Sequence, residues 1–311
     1  MDLLTIILVV AGLCLFETIS SIDNAIINAE VLGTMKEKYR RWFLVWGLLF
    51  AVFFIRGVLP WLIVWVSTPS LGPVDALLAT FSDDPRVIEA IEESAPVLLI
   101  GGGTFLIFLF FHWLFIEPKH YGLIGERFIH SQGVWFFAVV SVLLTIIVWF
   151  AINTHPMMAF GAVVGSTAFF ITHGFKENAE KAERELMKEG MSDISKIFYL
   201  EVIDATFSID GVLGAFAFTL SVPLILIGNG LGALVVRQVT ISNIENIKRY
   251  KYLKNGAMYS ILVLGTIMLL DSFGFHIPPW LSPIATFGIV GYFFWLSRDE
   301  LRKAAAKPAR K

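Results

Sequence analysis

Carboxylate, amide and hydroxyl side chains interrupt an otherwise apolar stretch near the start of the chain. Within residues 3–29, the segment F-E-T-I-S-S-I-D-N-A-I-I-N carries Glu17, Ser21, Asp23, Asn24 and Asn28. A carboxylate at the centre of a membrane-spanning helix costs about 2.5 kcal/mol or more. A partner or a ligand must offset this cost, so the default interpretation is a functional site.

The same spacing returns in the second half of the chain. In L-E-V-I-D-A-T-F-S-I-D-G an acid is again followed, after three residues, by Ser-Ile-Asp, and these positions are Asp204, Ser208 and Asp210. On a helix, Glu201 shares a face with Asp204 and Ser208. Two copies of such a motif in one chain are not expected by chance, and they indicate an internal duplication.

Glu, Asp, Asn and Ser supply oxygen ligands, which suit manganese, calcium or magnesium. Cysteine and histidine show no metal-ligand spacing, which argues against a copper or zinc site built on sulfur. Buried carboxylates also hold protons that an arriving cation displaces, so metal-proton antiport is a natural mechanism. The alternative is that these groups form structural hydrogen bonds between helices, as Ser and Asn often do in membranes.

Helical geometry separates the acids within each motif. Asp23 and Asp210 follow their leading acids by six residues, which turns them about a third of a turn or more away from the shared face. We therefore expect each helix to unwind locally, at Ser20-Ser21 and at Gly211, so that the acids converge on one ion. The other possibility is that the acids contact different neighbours.

Composition places the chain among integral membrane proteins. Of 311 residues, 56% are hydrophobic and 16% are charged, which is far more apolar than a soluble domain. The predicted fold is all-α and polytopic. A single cysteine, Cys14, excludes an intramolecular disulfide, and the chain has no phosphate-binding glycine loop, nucleophile elbow or zincin motif. We expect neither an enzyme nor a nucleic-acid-binding protein.

Hydropathy predicts nine spans, near residues 3–29, 42–66, 95–116, 134–152, 156–173, 197–220, 223–236, 256–273 and 280–297. With this number, the clusters of Lys and Arg all fall on one side. That side is then cytoplasmic, with the N-terminus outside and the C-terminus inside. The short, glycine-rich seventh span is expected to be broken, tilted or shielded from lipid.

The duplicated motifs divide the chain into a membrane half at 1–173, a charged cytoplasmic linker helix at 174–196 and a second half at 197–311. The motif helices run in opposite directions under this topology, which predicts an inverted repeat with its substrate site between the halves. In the helix after each motif a glycine precedes an arginine by nine positions, the pairs being Gly47 with Arg56 and Gly228 with Arg237. Arg56 is a candidate partner for the acids, whereas Arg237 is equally consistent with a position at the membrane surface.

Three residues near predicted cytoplasmic span ends have blander interpretations. His112 and His173 have no partner at helical spacing on their own helices, so we expect them to be interfacial or capping residues. Lys176 flanks the fifth span and is interpreted as a boundary residue.

The motifs F-E-T-I-S-S-I-D-N-A and F-S-I-D-G, with R-W-F-L-V-W-G-L-L-F-A-V-F-F-I-R and G-G-G-T-F-L, resemble the TerC family of membrane proteins in the LysE-type exporter superfamily. The resemblance implies a divalent-metal exporter, with manganese efflux as the activity. It also implies metal ligands at Glu17, Asp23, Asn24, Asp204 and Asp210. The chain departs from the family in Gly211 where the first motif has Asn24, in its larger number of spans and in its charged linker.

These observations predict a prokaryotic plasma-membrane transporter that exports a divalent cation, manganese first, in exchange for protons. The cation is substrate rather than a tightly bound cofactor, and Ser21, Asn28, Glu201, Ser208, Arg56 and Arg237 support the site. The alternatives are export of an organic cation or amino acid, and a non-transporting membrane scaffold. Lipid is the expected environment, and the oligomeric state is left open.

Overall fold

The computed structural model describes residues 1–68, 70–78, 85–186, 192–242 and 249–306, and every regular element in these ranges is helical. The helices are α1 (Leu3–Ser20), α2 (Ile22–Gly33), α3 (Glu37–Trp42), α4 (Leu48–Phe50), α5 (Leu59–Ser67), α6 (Pro73–Leu78), α7 (Pro85–Phe115), α8 (Glu126–His130), α9 (Trp135–Thr154), α10 (Pro156–Leu186), α11 (Asp193–Ala215), α12 (Val222–Ser242), α13 (Leu253–Ser272) and α14 (Leu281–Ala306). Two π-helical segments, Phe43–Gly47 and Ala51–Val58, separate α3, α4 and α5.

Within the described ranges, five helices are long and apolar enough to cross a membrane: α1, α7, α9, α10 over Pro156–Lys176, and α13. Two shorter apolar stretches, Arg56–Val66 and Val222–Gln238, accompany them. The outer surface of α9 presents Phe137, Trp149 and Phe150, each more than half exposed. Contiguous apolar surface of this kind needs lipid or protein against it. The all-α class, with apolar helices of membrane-spanning length, is as the sequence predicts.

Small residues let α7 pack closely against α10 and α13. A Cβ added at Gly101 would lie 2.9 Å from the Gly161 carbonyl oxygen, and one at Gly103 would lie 2.9 Å from the Gly265 oxygen. Because side chains are absent at these crossings, the helix backbones approach each other directly. Helix α9 packs mainly against α10 and also contacts α7.

The motif helices form a second group. Helix α1 packs against α12 and α14, and α11 packs against the π-helical segment Ala51–Val58. Helix α12 is continuous through its glycines, so the seventh predicted span is one unbroken helix that α1 partly shields. The first part of the predicted linker continues α10 as far as Leu186, α11 begins at Asp193, and residues 187–191 lie outside the described ranges.

Candidate functional site

A buried ion pair joins Glu17 of α1 to Arg56. Arg56 donates to Oε1 of Glu17 from Nη2 at 2.6 Å and from Nε at 2.8 Å, and Ser21 Oγ donates to the same oxygen at 2.8 Å. Glu17 is 1% exposed and Arg56 is 3% exposed. Neither charge is tolerable alone at this depth, so each group neutralises the other.

The second acidic motif meets the same arginine. Nη1 of Arg56 lies 3.5 Å from Oδ2 of Asp204, and Asn24 of the first motif donates a short hydrogen bond to the other oxygen, Oδ1. The leading acids of both motifs therefore face one guanidinium group. Two carboxylates and one cation leave this cluster with a formal charge of −1.

The backbone breaks at the first motif, as predicted. Helix α1 ends at Ser20 and α2 begins at Ile22, while Ser21 lies between them with φ −91° and ψ 5°. The second motif contradicts the prediction, because α11 runs without interruption through Gly211 to Ala215. The acids of α11 consequently contact different neighbours, which is the other possibility that helical geometry had left open.

A widened helix carries Arg56. The π-helical segment Ala51–Val58 ends two residues before Pro60, which opens α5. Pro60 has no N–H to donate to the Arg56 carbonyl four residues earlier, and its ring would clash with that carbonyl in a regular α-helix. The π-helical turns relieve this conflict, and such turns are frequent at functional sites.

Glycines bring neighbouring helices onto the Glu17 side chain. A Cβ at Gly211 of α11 would lie 2.7 Å from Oε2 of Glu17, and one at Gly232 of α12 would lie 2.6 Å from its Cβ. Gly47 is packed in the same way against Oε1 of Glu201. These glycines exclude space for an alternative position of either acid, so both side chains are tightly confined.

A pocket of about 60 Å³ opens beside the cluster. Its lining is formed by Ser21, Asn28, Phe43, Gly47, Ala51, Arg56, Glu201, Asp204, Ala233, Val236 and Arg237. Three buried oxygens at or near it have no hydrogen-bond partner: Oδ1 of Asn24, Oδ1 of Asn28 and Oε1 of Glu201. Buried acceptors without a donor call for a ligand such as water or a cation.

Asp210 does not join this cluster. It pairs with Lys176 of α10 in a short contact, and its other oxygen, Oδ1, is buried without a hydrogen bond. Ser208 Oγ is likewise buried without a partner. The Asp23 side chain lies outside the described part of the structure.

The predicted ligand set is thus divided between two places. Glu17, Asn24 and Asp204 meet at Arg56, whereas Asp210 meets Lys176. Among the described residues, no group of three or more His, Cys, Asp or Glu side chains is arranged to hold a metal ion. The sequence did not predict that Lys176 pairs with an acid. Lys176 directly follows Gly174-Phe175 at the end of an apolar span. That position is equally consistent with a buried ion pair and with an exposed lysine.

The model of a family described as "Protein of unknown function (DUF475)" matches residues 22–304. No curated protein and no solved structure matches the chain. The matched range includes α2, the segments that carry Arg56 and Arg237 and the whole second motif, and it begins after Glu17. The chain therefore belongs to the DUF475 family.

Proposed function

We propose that this chain is a membrane transporter that exports a divalent cation, most simply manganese, in exchange for protons. The observation that carries the proposal is the buried Arg56 guanidinium, which stands between carboxylates from both acidic motifs. Intramembrane acids that meet between helices are typical of ion pathways. Between these acids, Arg56 supplies the positive charge that a transported cation would supply.

Arg56 acts in this proposal as an internal substitute for the substrate. When a divalent ion enters the pocket, Arg56 withdraws and releases Glu17 and Asp204 to the ion. Glu201 and the unpaired amide oxygens of Asn24 and Asn28 complete a set of oxygen ligands. The π-helical turns around Arg56 supply a backbone that can change its register, since such segments lack regular α-helical bonding.

The packing of the motif helices supports an inverted repeat. Gly211 occupies the position in motif two that Asn24 occupies in motif one. Gly211 contacts Glu17, and Asn24 contacts Asp204, so each leading acid meets the same position of the opposite motif. Gly47 and Gly228 also pack on the motif helix of the opposite half, Gly47 at Glu201 and Gly228 at Leu13. These contacts fall before the leading acids rather than at them.

Nine spans, an outside N-terminus and a prokaryotic plasma membrane complete the proposal, with the charged end of α10 in the cytoplasm. The resemblance to the TerC family favours manganese among the hard divalent ions. The size of the pocket disfavours an organic cation or an amino acid, because about 60 Å³ has room for only a few water molecules.

Flux measurements in proteoliposomes test the proposal. The protein is reconstituted with an internal manganese-quenched dye, and a proton gradient is imposed. We expect gradient-dependent quenching, and a loss of about tenfold or more in Asp204→Asn, since one ligand charge is removed. Asp75→Asn alters an exposed aspartate on α6 and is the matched control, with flux expected to be unchanged.

Two outcomes would contradict the proposal. The first is wild-type flux in Asp204→Asn, which would show that the cluster is not the ion site. The second is the absence of manganese flux from folded wild-type protein, in which case organic cations are tested next. If none of these substrates moves and Asp204→Asn is fully stable, the scaffold alternative is favoured.

A further inference from the structure

Two histidines predicted to be isolated form a close pair between the last turn of α7 and the middle of α10. The ring centroids of His112 and His173 are 3.8 Å apart. Phe136 packs edge-on against His112, and Phe169 stacks on His173. His112 is 5% exposed, and its Nδ1 is buried without a hydrogen bond. Two imidazolium rings at this separation would repel each other, so a proton on one ring disfavours a proton on the other.

An ionised carboxylate faces the pair. Oε1 of Glu117 lies 3.4 Å from His112 Nδ1, and Oε2 of Glu117 lies 2.9 Å from Lys254 Nζ. Burial raises the pKa of Glu117, but Lys254 and His112 lower it more, so the net pKa is well below its usual range. Glu117 is therefore charged and positioned to accept a hydrogen bond from a protonated His112.

Among the residues that the structure describes, further charged groups near the pair lie on the neighbouring elements. Lys176 lies one turn after His173 on α10 and pairs with Asp210 of α11. Lys119, in the loop after α7, interacts electrostatically with Glu126 of α8, with Glu117 and with Lys254. Helix α9 contributes no charged side chain.

The histidine pair is linked to the second acidic motif through two charged groups. His173 and Lys176 are three residues apart on α10, so they are neighbours on one helix face. Glu117 also acts electrostatically on Asp210. A proton added to the pair brings positive charge beside both members of this network and changes the balance between Lys176 and Asp210.

We propose that His112 and His173 form a shared proton-binding site that makes transport depend on pH through Glu117, Lys176 and Asp210. Binding adds one proton to His112 Nδ1, and the new N–H donates to the Glu117 carboxylate. This inference rests on the proposed function for its link to transport, whereas the proton site itself stands on the geometry of the pair.

Nuclear magnetic resonance of protein labelled with ¹⁵N-histidine tests the proton site without transport. Over roughly pH 5–9, the range in which imidazole side chains titrate, we expect two of the six histidines to give linked titration curves. The signals of each should respond to both protonation steps, as in coupled sites. His173→Gln is expected to turn His112 into a singly titrating group. His155→Gln, at an exposed turn before α10, is the control and leaves the coupled signals unchanged.

Independent titration of both histidines, unaltered by His173→Gln, would overturn the proton site. Because His112→Gln alters a caged side chain and can disturb folding, the half-buried His173 and Glu117→Gln carry the test. Glu117→Gln is expected to shift the His112 signals, since it removes the facing charge.

The pH profile of manganese flux tests the link to transport. In the wild-type protein we expect flux to change with the pH on the cytoplasmic side. His173→Gln is expected to reduce that change, measured over about two pH units, by about threefold or more, while the manganese concentration at half-saturation stays the same. A wild-type profile in this variant would overturn the link. Absence of flux in the wild-type protein would instead contradict the proposed function, and the magnetic resonance result would still decide the proton site.

Discussion

The two acidic motifs share a sequence pattern but place their acids in different electrostatic surroundings. In the first motif Ser21 breaks the helix and donates to Glu17, whereas in the second Ser208 lies in a continuous helix and has no hydrogen-bond partner. The leading acids Glu17 and Asp204 share Arg56, but the trailing acid Asp210 has Lys176. Acids at equal spacing in sequence are thus divided between two ion pairs, one with Arg56 and one with Lys176.

Burial distinguishes these two ion pairs. The side chains of Arg56 and Glu17 are 3% and 1% exposed, while those of Lys176 and Asp210 are both 14% exposed. Guanidinium makes two bonds to one carboxylate oxygen, and ammonium acts as a compact point charge. The pair at Arg56 is therefore the more buried and the more directionally bonded of the two.

Removing Arg56 is expected to have the largest effect on stability. Arg56→Met leaves the Glu17 carboxylate buried without a cation, with Ser21 as its remaining donor, which should lower the free energy of unfolding by about 3–5 kcal/mol. Thermal unfolding in detergent measures the change. Arg41→Met removes a surface partner of Glu37 and should change stability by less than about 1 kcal/mol. Equal losses in the two variants would show that the buried pair is not stabilising.

Removing Lys176 should have a smaller effect and would sharpen the comparison. Lys176→Met leaves Asp210 partly accessible to solvent and able to bind a proton, so we expect a loss of about 2–3 kcal/mol. The double variant Lys176→Met/Asp210→Asn removes both charges and should recover part of this loss. A greater loss than in Arg56→Met would reverse the order of the two sites.

Filling the space beside Glu17 should destabilise by overpacking. Gly211→Ala places a Cβ 2.7 Å from Oε2 of Glu17, and because Arg56 holds that side chain we expect a loss of about 1–3 kcal/mol. Gly174→Ala, in α10 with no atom within 4 Å of the added Cβ, should be neutral or stabilise by up to about 1 kcal/mol. A neutral Gly211→Ala would mean that Glu17 is free to move.

The region near Asp210 should also respond to acid through Glu117. Its lowered pKa means that the folded state binds the proton more weakly than the unfolded state, whose pKa is near the ordinary value of 4.5. The stabilisation is therefore present above pH 4.5 and is lost as the pH falls below it. Melting temperatures of wild type and Glu117→Gln should converge below this pH. The prediction would be contradicted by a difference in melting temperature that stays constant down to about pH 3, which is roughly 1.5 pH units below the ordinary pKa of the carboxyl group.

Much of the fold could be predicted from the sequence, because a lipid bilayer restricts the backbone conformations of the segments that cross it. Apolar stretches of sufficient length become helices in a bilayer, and five helices in the described part of the chain are long and apolar enough to cross one, against nine predicted spans. The break at Ser20-Ser21 was also predictable, since polar side chains in an apolar helix compete for backbone groups. The continuity of α10 into the linker was less accessible, because a charged helix carries no mark of where an apolar one should end.

The site was only partly predictable. The face shared by Glu17, Ser21 and Asn24 follows from helical spacing, and Arg56 was predicted as a partner for the acids. The positions of Asp210 and of the pair His112 and His173 were not, because their partners lie on helices far apart in sequence. Periodicity gives information about a residue's own helix and none about the neighbour.

The sequence by itself determined the class of this protein, the two acidic motifs and the oxygen-rich chemistry that they offer. These properties depend on composition and on spacings along single helices, which the chain carries locally. Helix packing, by contrast, determined that Arg56 contacts both leading acids, that Lys176 pairs with Asp210 and that His112 of α7 contacts His173 of α10. The physical reason is that buried charges are neutralised by whichever partner helix packing brings within a few ångströms, and that packing depends on all the helices together.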